Sequence, residues 1–220
     1  MNPEELIDHV KACVALGDAE KSKLPISLLA KNLDGLSSNK VRHFLNNLCN
    51  ISDWKHLEIG THTGSTLIAA GYKNPLKFLV AIDDFSMRPN RKHEVFNYLQ
   101  KYKEDLPSIH FIMENCWKFN NKGLGKFNTY FYDACHTRES QEQAIIQYWK
   151  NLENLAVIII DDFDVKNVKR GTWNGFDYLR VKKQIIEHWH LRGGNEKTRH
   201  DLWWGGLGVF VINKGDYHES

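Results

Sequence analysis

Apolar positions are spaced in two different ways along this 220-residue chain, and the change comes near residue 50. Before it the spacing is helical. Pro3, Glu4 and Glu5 open a helix that carries Leu6, Val10 and Val14 on one face and stops at Gly17. A short second helix is expected from Ile26 to about Leu33. A third is expected from a cap at Ser37 or Ser38, with Val41, Phe44, Leu45 and Leu48 on one side. Asn50 to Asp53 then break the pattern.

Beyond the break, short apolar runs alternate with longer, helix-like segments. The runs are His56–Ile59, Phe78–Ile82, Ile109–Met113, Thr129–Tyr132 and Ala156–Ile160. Each is continuous rather than alternating, as parallel strands covered on both faces require. The roughly 15 to 25 residues between runs suffice for a crossover helix, so right-handed βαβ units follow. A helix from Phe176 to about His188 then leads to Trp189–Leu191, a long polar loop and Gly208–Asn213. Those last two runs read as an antiparallel hairpin at a sheet edge. The expectation is an α/β three-layer sandwich with a mostly parallel seven-stranded sheet and an antiparallel C-terminal hairpin. Residues 1–50 form a helical extension or cap, and 51–220 the α/β domain.

Composition narrows the function classes. Lys plus Arg is 29 and Asp plus Glu is 27, a net charge of +2, which argues against a strongly basic nucleic-acid binder. The longest apolar run, Leu155–Ile160, is far short of the ~20 residues that span a bilayer, so no membrane partner is expected. The acidic opening Met1–Glu5 has no apolar stretch after it and does not resemble a signal peptide. The 4 cysteines, Cys13, Cys49, Cys116 and Cys135, are widely spaced with no C-x-x-C, which reads as reduced thiols in the cytoplasm. No internal repeat is present.

Every parallel run ends at or next to an acid: Glu58, Asp83 with Asp84, Glu114, Asp133, and Asp161 with Asp162. Taken singly, each could cap the following helix. Taken together they line the carboxyl ends of the strands, where open α/β sheets bind ligands. After the first run the chain reads Leu-Glu58-Ile-Gly60-Thr-His62-Thr-Gly64-Ser-Thr-Leu67. Two glycines allow a sharp turn and close approach of a ligand, and the helix start beyond them offers N–H groups to an anion. His62 breaks the G-x-G-x-x-G pattern of dinucleotide folds, and no G-K-[ST] is present for a P-loop.

Glu58-Ile-Gly60-Thr-His-Thr-Gly64-Ser-Thr-Leu67 resembles motif I of the class I S-adenosylmethionine-dependent methyltransferases. It is most similar to the form found in cation-dependent small-molecule O-methyltransferases of the catechol and caffeoyl-CoA type and in sugar and macrolide O-methyltransferases. The resemblance continues through Val80-Ala-Ile-Asp83-Asp84, Phe131-Tyr-Asp133-Ala-Cys-His136 and Ile158-Ile-Ile-Asp161-Asp162-Phe163, about residues 55 to 165. It implies a Rossmann-like fold and S-adenosylmethionine as cofactor. Gly60, Thr61, Gly64 and Ser65 would shape the turn around its methionine end. Glu58 would anchor that turn and reach the ammonium group directly or through water. Asp83, or its neighbour Asp84, would hold the ribose hydroxyls. Asn115, Cys116 and Trp117 would border the adenine, and Asp133 would border the cofactor as well.

Methyl transfer to a hydroxyl needs the oxygen aligned and made nucleophilic. Asp133, Asp161 and Asp162 supply hard carboxylate ligands at adjacent strand ends, which suits Mg²⁺ or another divalent cation. The resemblance implies the same three ligands. His136 stands where the catechol-like subgroup carries a lysine base, and its ordinary pKa near 6.5 suits proton abstraction. Cys135 stands where that subgroup has a second acid. The expected acceptor is a small hydroxylated molecule, covered by the N-terminal helices, Met87–His93, the Lys166–Gly175 loop or the Arg199–Gly206 loop with Trp203 and Trp204. A homo-oligomer is left open. The alternatives are a nucleic-acid or protein methyltransferase of the same fold and a non-catalytic cofactor-binding module. Asp161-Asp162-Phe163 replaces the N/D-P-P-Y/F motif of base-amino methylation.

Overall fold

A computed structural model describes residues 1–29 and 34–215. The N-terminal helix α1 (Pro3–Asp18) starts on a reciprocal cap. Asn2 Oδ1 accepts from Glu5 N at 2.9 Å, and Glu5 Oε2 accepts from Asn2 N at 2.8 Å. A single turn, α2 (Ile26–Leu29), and α3 (Asn39–Leu48) follow, the latter capped by Ser38. The rest of the expected second helix, 30–33, lies outside the described residues.

The α/β part runs β1 (Lys55–Ile59), α4 (Ser65–Gly71), β2 (Phe78–Ile82), α5 (Lys92–Lys101), β3 (Ile109–Ile112), β4 (Phe127–Tyr132), α6 (Arg138–Tyr148), β5 (Leu152–Ile160), α7 (Lys166–Tyr178), β6 (Ile185–Leu191) and β7 (Leu207–Asn213). The seven strands form one sheet in the order β3-β2-β1-β4-β5-β7-β6. β1 to β5 are parallel, and β7 pairs antiparallel with both β5 and β6. This is the expected Rossmann-like sheet. The strand order reverses between β1 and β4, the crevice where such sheets hold ligands.

Burial explains the continuous apolar runs. Alternate residues of each central strand feed two separate cores. On one face Leu79, Ala81, Phe131, Val157 and Val209 pack against Leu6, Val10, Phe44 and Leu48 of α1 and α3 and against Leu67 of α4. On the other, Leu57, Tyr130, Ile158 and Phe210 meet Ile145 and Tyr148 of α6 and Val168 and Phe176 of α7. Helices from residues 1–50 thus build one wall of the same core as the sheet. No described helix is long and apolar enough to cross a membrane.

The expected helix from Phe176 to His188 is not there. Phe176 lies in the last turn of α7, which ends at Tyr178; Arg180 turns the chain at φ +57°, and Ile185–Leu191 is strand β6. The stretch expected as a loop over the site, Lys166–Gly175, is most of α7. Its glycines misled the reading. A Cβ on Gly171 would overlap the Arg138 carbonyl, and one on Gly175 would lie 2.7 Å from Ile145 Cβ. They are there to let α6 and α7 touch, not to loosen the chain.

Candidate functional site

A cavity of about 440 Å³ opens at the carboxyl ends of β1, β2, β4 and β5. Its floor is the turn after β1. Gly60 adopts φ +87°, and a Cβ there would overlap the Asp133 carbonyl at the end of β4, so only glycine fits. Gly60 N donates to Ile82 O at 3.0 Å and Gly64 N to Thr61 O at 2.7 Å. Gly64 (φ +84°) shapes the turn without lining the cavity, whereas Thr61, Ser65 and Thr66 line it.

Glu58 lies beneath this turn, fully buried, and does not line the cavity. One of its oxygens accepts from Thr66 Oγ1 at 3.1 Å; the other lies 3.9 Å from His56 Nε2 with no partner. Burial holds its carboxyl well above the usual range. The anchoring half of its expected role is visible, through Thr66. Direct contact with a ligand is not, because β1 points the side chain into the core.

The two acids after β2 have separate jobs. Asp83 Oδ2 accepts from Thr61 N at 2.8 Å and His62 N at 2.9 Å, and Oδ1 accepts from Phe85 N at 2.7 Å. It ties two loops together. Asp84 is exposed on the cavity wall, with Oδ1 accepting from Ser86 N at 2.9 Å and Oδ2 from Asn115 Nδ2 at 3.0 Å. Hydrogen bonds, first among them that from Ser86, hold its carboxyl below the usual range. Asn115, Cys116 and Trp117 line the adjoining wall. The Cys116 carbonyl accepts from Gln147 Nε2 at 2.7 Å and Tyr148 OH at 2.9 Å, and burial pushes its thiol up to about 12. The Trp117 ring leans on Tyr132 at 6.1 Å.

At the far end β4 and β5 bring Asp133, His136, Asp161 and Asp162 into the cavity. His136 Nδ1 lies 2.9 Å from Asp162 Oδ2, and Nε2 lies 3.5 Å from Asp133 Oδ1. Hydrogen bonds to Asp133 and then Asp162 raise the imidazole to about 10, so it stands protonated between two carboxylates. That corrects the expectation of a neutral base. Desolvation raises Asp133 to about 6 and holds Asp161, only 4% exposed, well above the carboxylate range. Among the described residues no group of three or more His, Cys, Asp or Glu is arranged to hold a metal ion. The three aspartates therefore do not fit the expected divalent centre as they stand, since the His136 ring occupies the gap between Asp133 and Asp162.

The cavity mouth holds residues that sequence reading missed or half-saw. Leu36, His62, Met87, Arg88 and Trp204 all line the cavity. Trp203 instead packs edge-on against Phe44 in the core, at 6.1 Å. His62, noted before only as a break in a glycine motif, adopts φ +50°. Its signal was its position inside the turn.

Comparison with solved structures bears on the fold. An O-methyltransferase from Bacillus cereus in complex with SAH matches with a TM-score of 0.58 and 14% identity, over 94% of this chain and 91% of that one. TomG of Streptomyces achromogenes, an O-methyltransferase of tomaymycin synthesis in complex with SAM, gives 0.56 and 15%, over 91% and 89%. The chain therefore has the class I methyltransferase fold, in which its structural neighbours include S-adenosylmethionine-dependent O-methyltransferases. Cofactor-bound Rv0187 from MTB adds a match at 0.57 and 17%, over 94% and 91%. No protein-family model and no curated protein matches the sequence.

Proposed function

We propose that this chain is an S-adenosylmethionine-dependent methyltransferase that modifies a hydroxyl of a small molecule. The observation that supports it most is one cavity joining the Gly60 turn, the Asp84–Asn115 pair and the Asp133–His136 cluster. These residues fit a ribonucleoside with an amino-acid tail. Gly60, Thr61 and Ser65 would hold the tail, Asp84 the ribose hydroxyls, and Asn115, Cys116 and Trp117 the base. Asp83, Gly64 and Glu58 hold the turn in shape. When bound, S-adenosylmethionine supplies a methyl group on a sulfonium, whose C–S electron pair leaves with sulfur as the new C–O bond forms.

The chain's own part is to bind and activate the acceptor. Asp133, raised to about 6, is the group that takes the hydroxyl proton near neutral pH. The His136 imidazolium beside it stabilises the charge developing on that oxygen. Asp162 orients the ring and, with Asp133, keeps His136 charged. No metal enters these steps. Four unpaired cysteines suit a cytoplasmic enzyme.

The test is calorimetry with S-adenosylhomocysteine, followed by methyl transfer to a panel of hydroxylated small molecules with wild type and His136→Gln. Saturable binding and a loss of turnover of about 100-fold or more in the variant are expected. No binding to the wild type would end this reading.

A further inference from the structure

The cavity has a second polar wall that the proposed chemistry does not use. The His62 ring lines it, yet both ring nitrogens are shut off from solvent and bond to no protein group. Buried polar atoms without partners are rare in folded proteins and mark a place where something else supplies the bond. The backbone is not free to turn the ring away. His62 N is fastened to Asp83, and the residue stands in the left-handed region.

Two cations flank this ring closely enough to depress its proton affinity, after burial itself, Arg91 and Arg88. Arg91 is already spent: its Nη1 lies 3.1 Å from Asp34 and 2.7 Å from Glu94. Arg88 is different. It lines the cavity, it is exposed, and among the described residues its guanidinium has no hydrogen bond or ion pair. One uncommitted guanidinium and one unpartnered imidazole thus line the same cavity. A planar fork of donors beside a ring N–H matches a carboxylate or a phosphate. The exposed side chains of Met87 and Leu36 border the same mouth and offer it an apolar rim.

We propose that Arg88 and His62 form an oxyanion subsite that selects acceptors carrying a carboxylate or phosphate next to their apolar body. This rests on the reading of the cavity as a methyltransferase site, and it narrows the acceptor to an anionic hydroxylated molecule. The anion would orient the acceptor and add long-range attraction at the mouth. Arg88 and His62 are here specificity-determining groups, distinct from Asp133 and His136.

Inorganic phosphate is the probe. It is titrated into the full chain with and without saturating S-adenosylhomocysteine, following the His62 ring by NMR and binding by calorimetry. Phosphate is expected to saturate and to shift His62 signals equally in both states. Arg88→Gln should weaken it by about tenfold or more, and Arg88→Lys should recover part of that loss. Absence of a saturable shift at His62, or equal affinity in Arg88→Gln, would overturn the subsite. Displacement of phosphate by S-adenosylhomocysteine would overturn it too, because the cofactor's own carboxylate would then be the occupant. If S-adenosylhomocysteine binds nowhere, the methyltransferase reading fails. The titration of the free chain still decides the subsite by itself.

Discussion

Asp83 and Asp84 are neighbours with the same side chain, and the structure gives them opposite consequences when mutated. In Asp83→Asn, one carboxylate oxygen becomes an NH₂ group and the charge is lost. Asp83 Oδ2 serves two backbone donors, Thr61 N and His62 N, and Oδ1 serves Phe85 N. Leaving a buried donor unpaired costs about 1–3 kcal/mol, and hydrogen bonds to a charged group are worth about 1.5–3 kcal/mol each. The site is only partly buried, so a net destabilisation of about 2–4 kcal/mol is expected. Asp84 makes exposed hydrogen bonds and supports no turn of the floor, so Asp84→Asn should leave the melting temperature within about 1 °C. It should instead lower affinity for S-adenosylhomocysteine by about 10- to 100-fold, about 1.4–2.7 kcal/mol, by removing a charged acceptor for the ribose hydroxyls. Thermal denaturation and calorimetry on the two single variants separate these outcomes. The reasoning fails if Asp84→Asn binds S-adenosylhomocysteine like wild type while Asp83→Asn loses binding with its melting temperature intact.

Four further outcomes are expected. The pH profile of kcat/KM should rise through about 6, as Asp133 gives up its proton, and decline near 10, where His136 loses its charge; a flat profile between 5 and 8 speaks against Asp133 as the base. Because His136 is raised in the folded state from 6.5 to about 10, its contribution to stability is full below 6.5 and lost as pH rises through about 10; His136→Gln should flatten that alkaline limb in urea titrations. EDTA should leave turnover unchanged, since His136 already spans Asp133 and Asp162; its abolition, with recovery on adding Mg²⁺, would mean that the ring swings out to admit an ion. Finally, Gly60→Ala should cost at least about 2 kcal/mol, because the new methyl group meets the Asp133 carbonyl at a backbone angle hostile to alanine.

The parallel strands were readable, with each C-terminal end placed to within a residue, because burial leaves a continuous apolar run that no amphipathic helix imitates. β2 is the clearest case, Phe78–Ile82 in both reading and structure. β5 was cut short at its start, where Glu153 and Asn154 interrupt the run though the backbone is already paired. The region after Asp162 was least legible. Glycines placed for helix-to-helix contact look like loop glycines in one dimension, and β6 takes its identity from a partner, β7, that lies some 20 residues later. At the site, acids at successive strand ends were visible because the chain direction of a parallel sheet sends them all to one rim. Their individual duties were not. Which of two adjacent aspartates caps a loop, and whether a histidine sits neutral or clamped between carboxylates from two strands, depends on contacts with Thr61, Asn115 and Asp162 that only three dimensions supply.

The position of β7 has a consequence for how the molecule is made. The last of the seven described strands in chain order sits inside the sheet, wedged between β5 and β6, and carries Phe210 into one core and Val209 into the other. While the ribosome is still extending the chain, β5 has a bare margin and β6 has nothing to pair with. Assembly of that flank must wait for the segment around Leu207–Asn213 to emerge, so a premature stop before it would leave a sticky half-sheet rather than a smaller working protein.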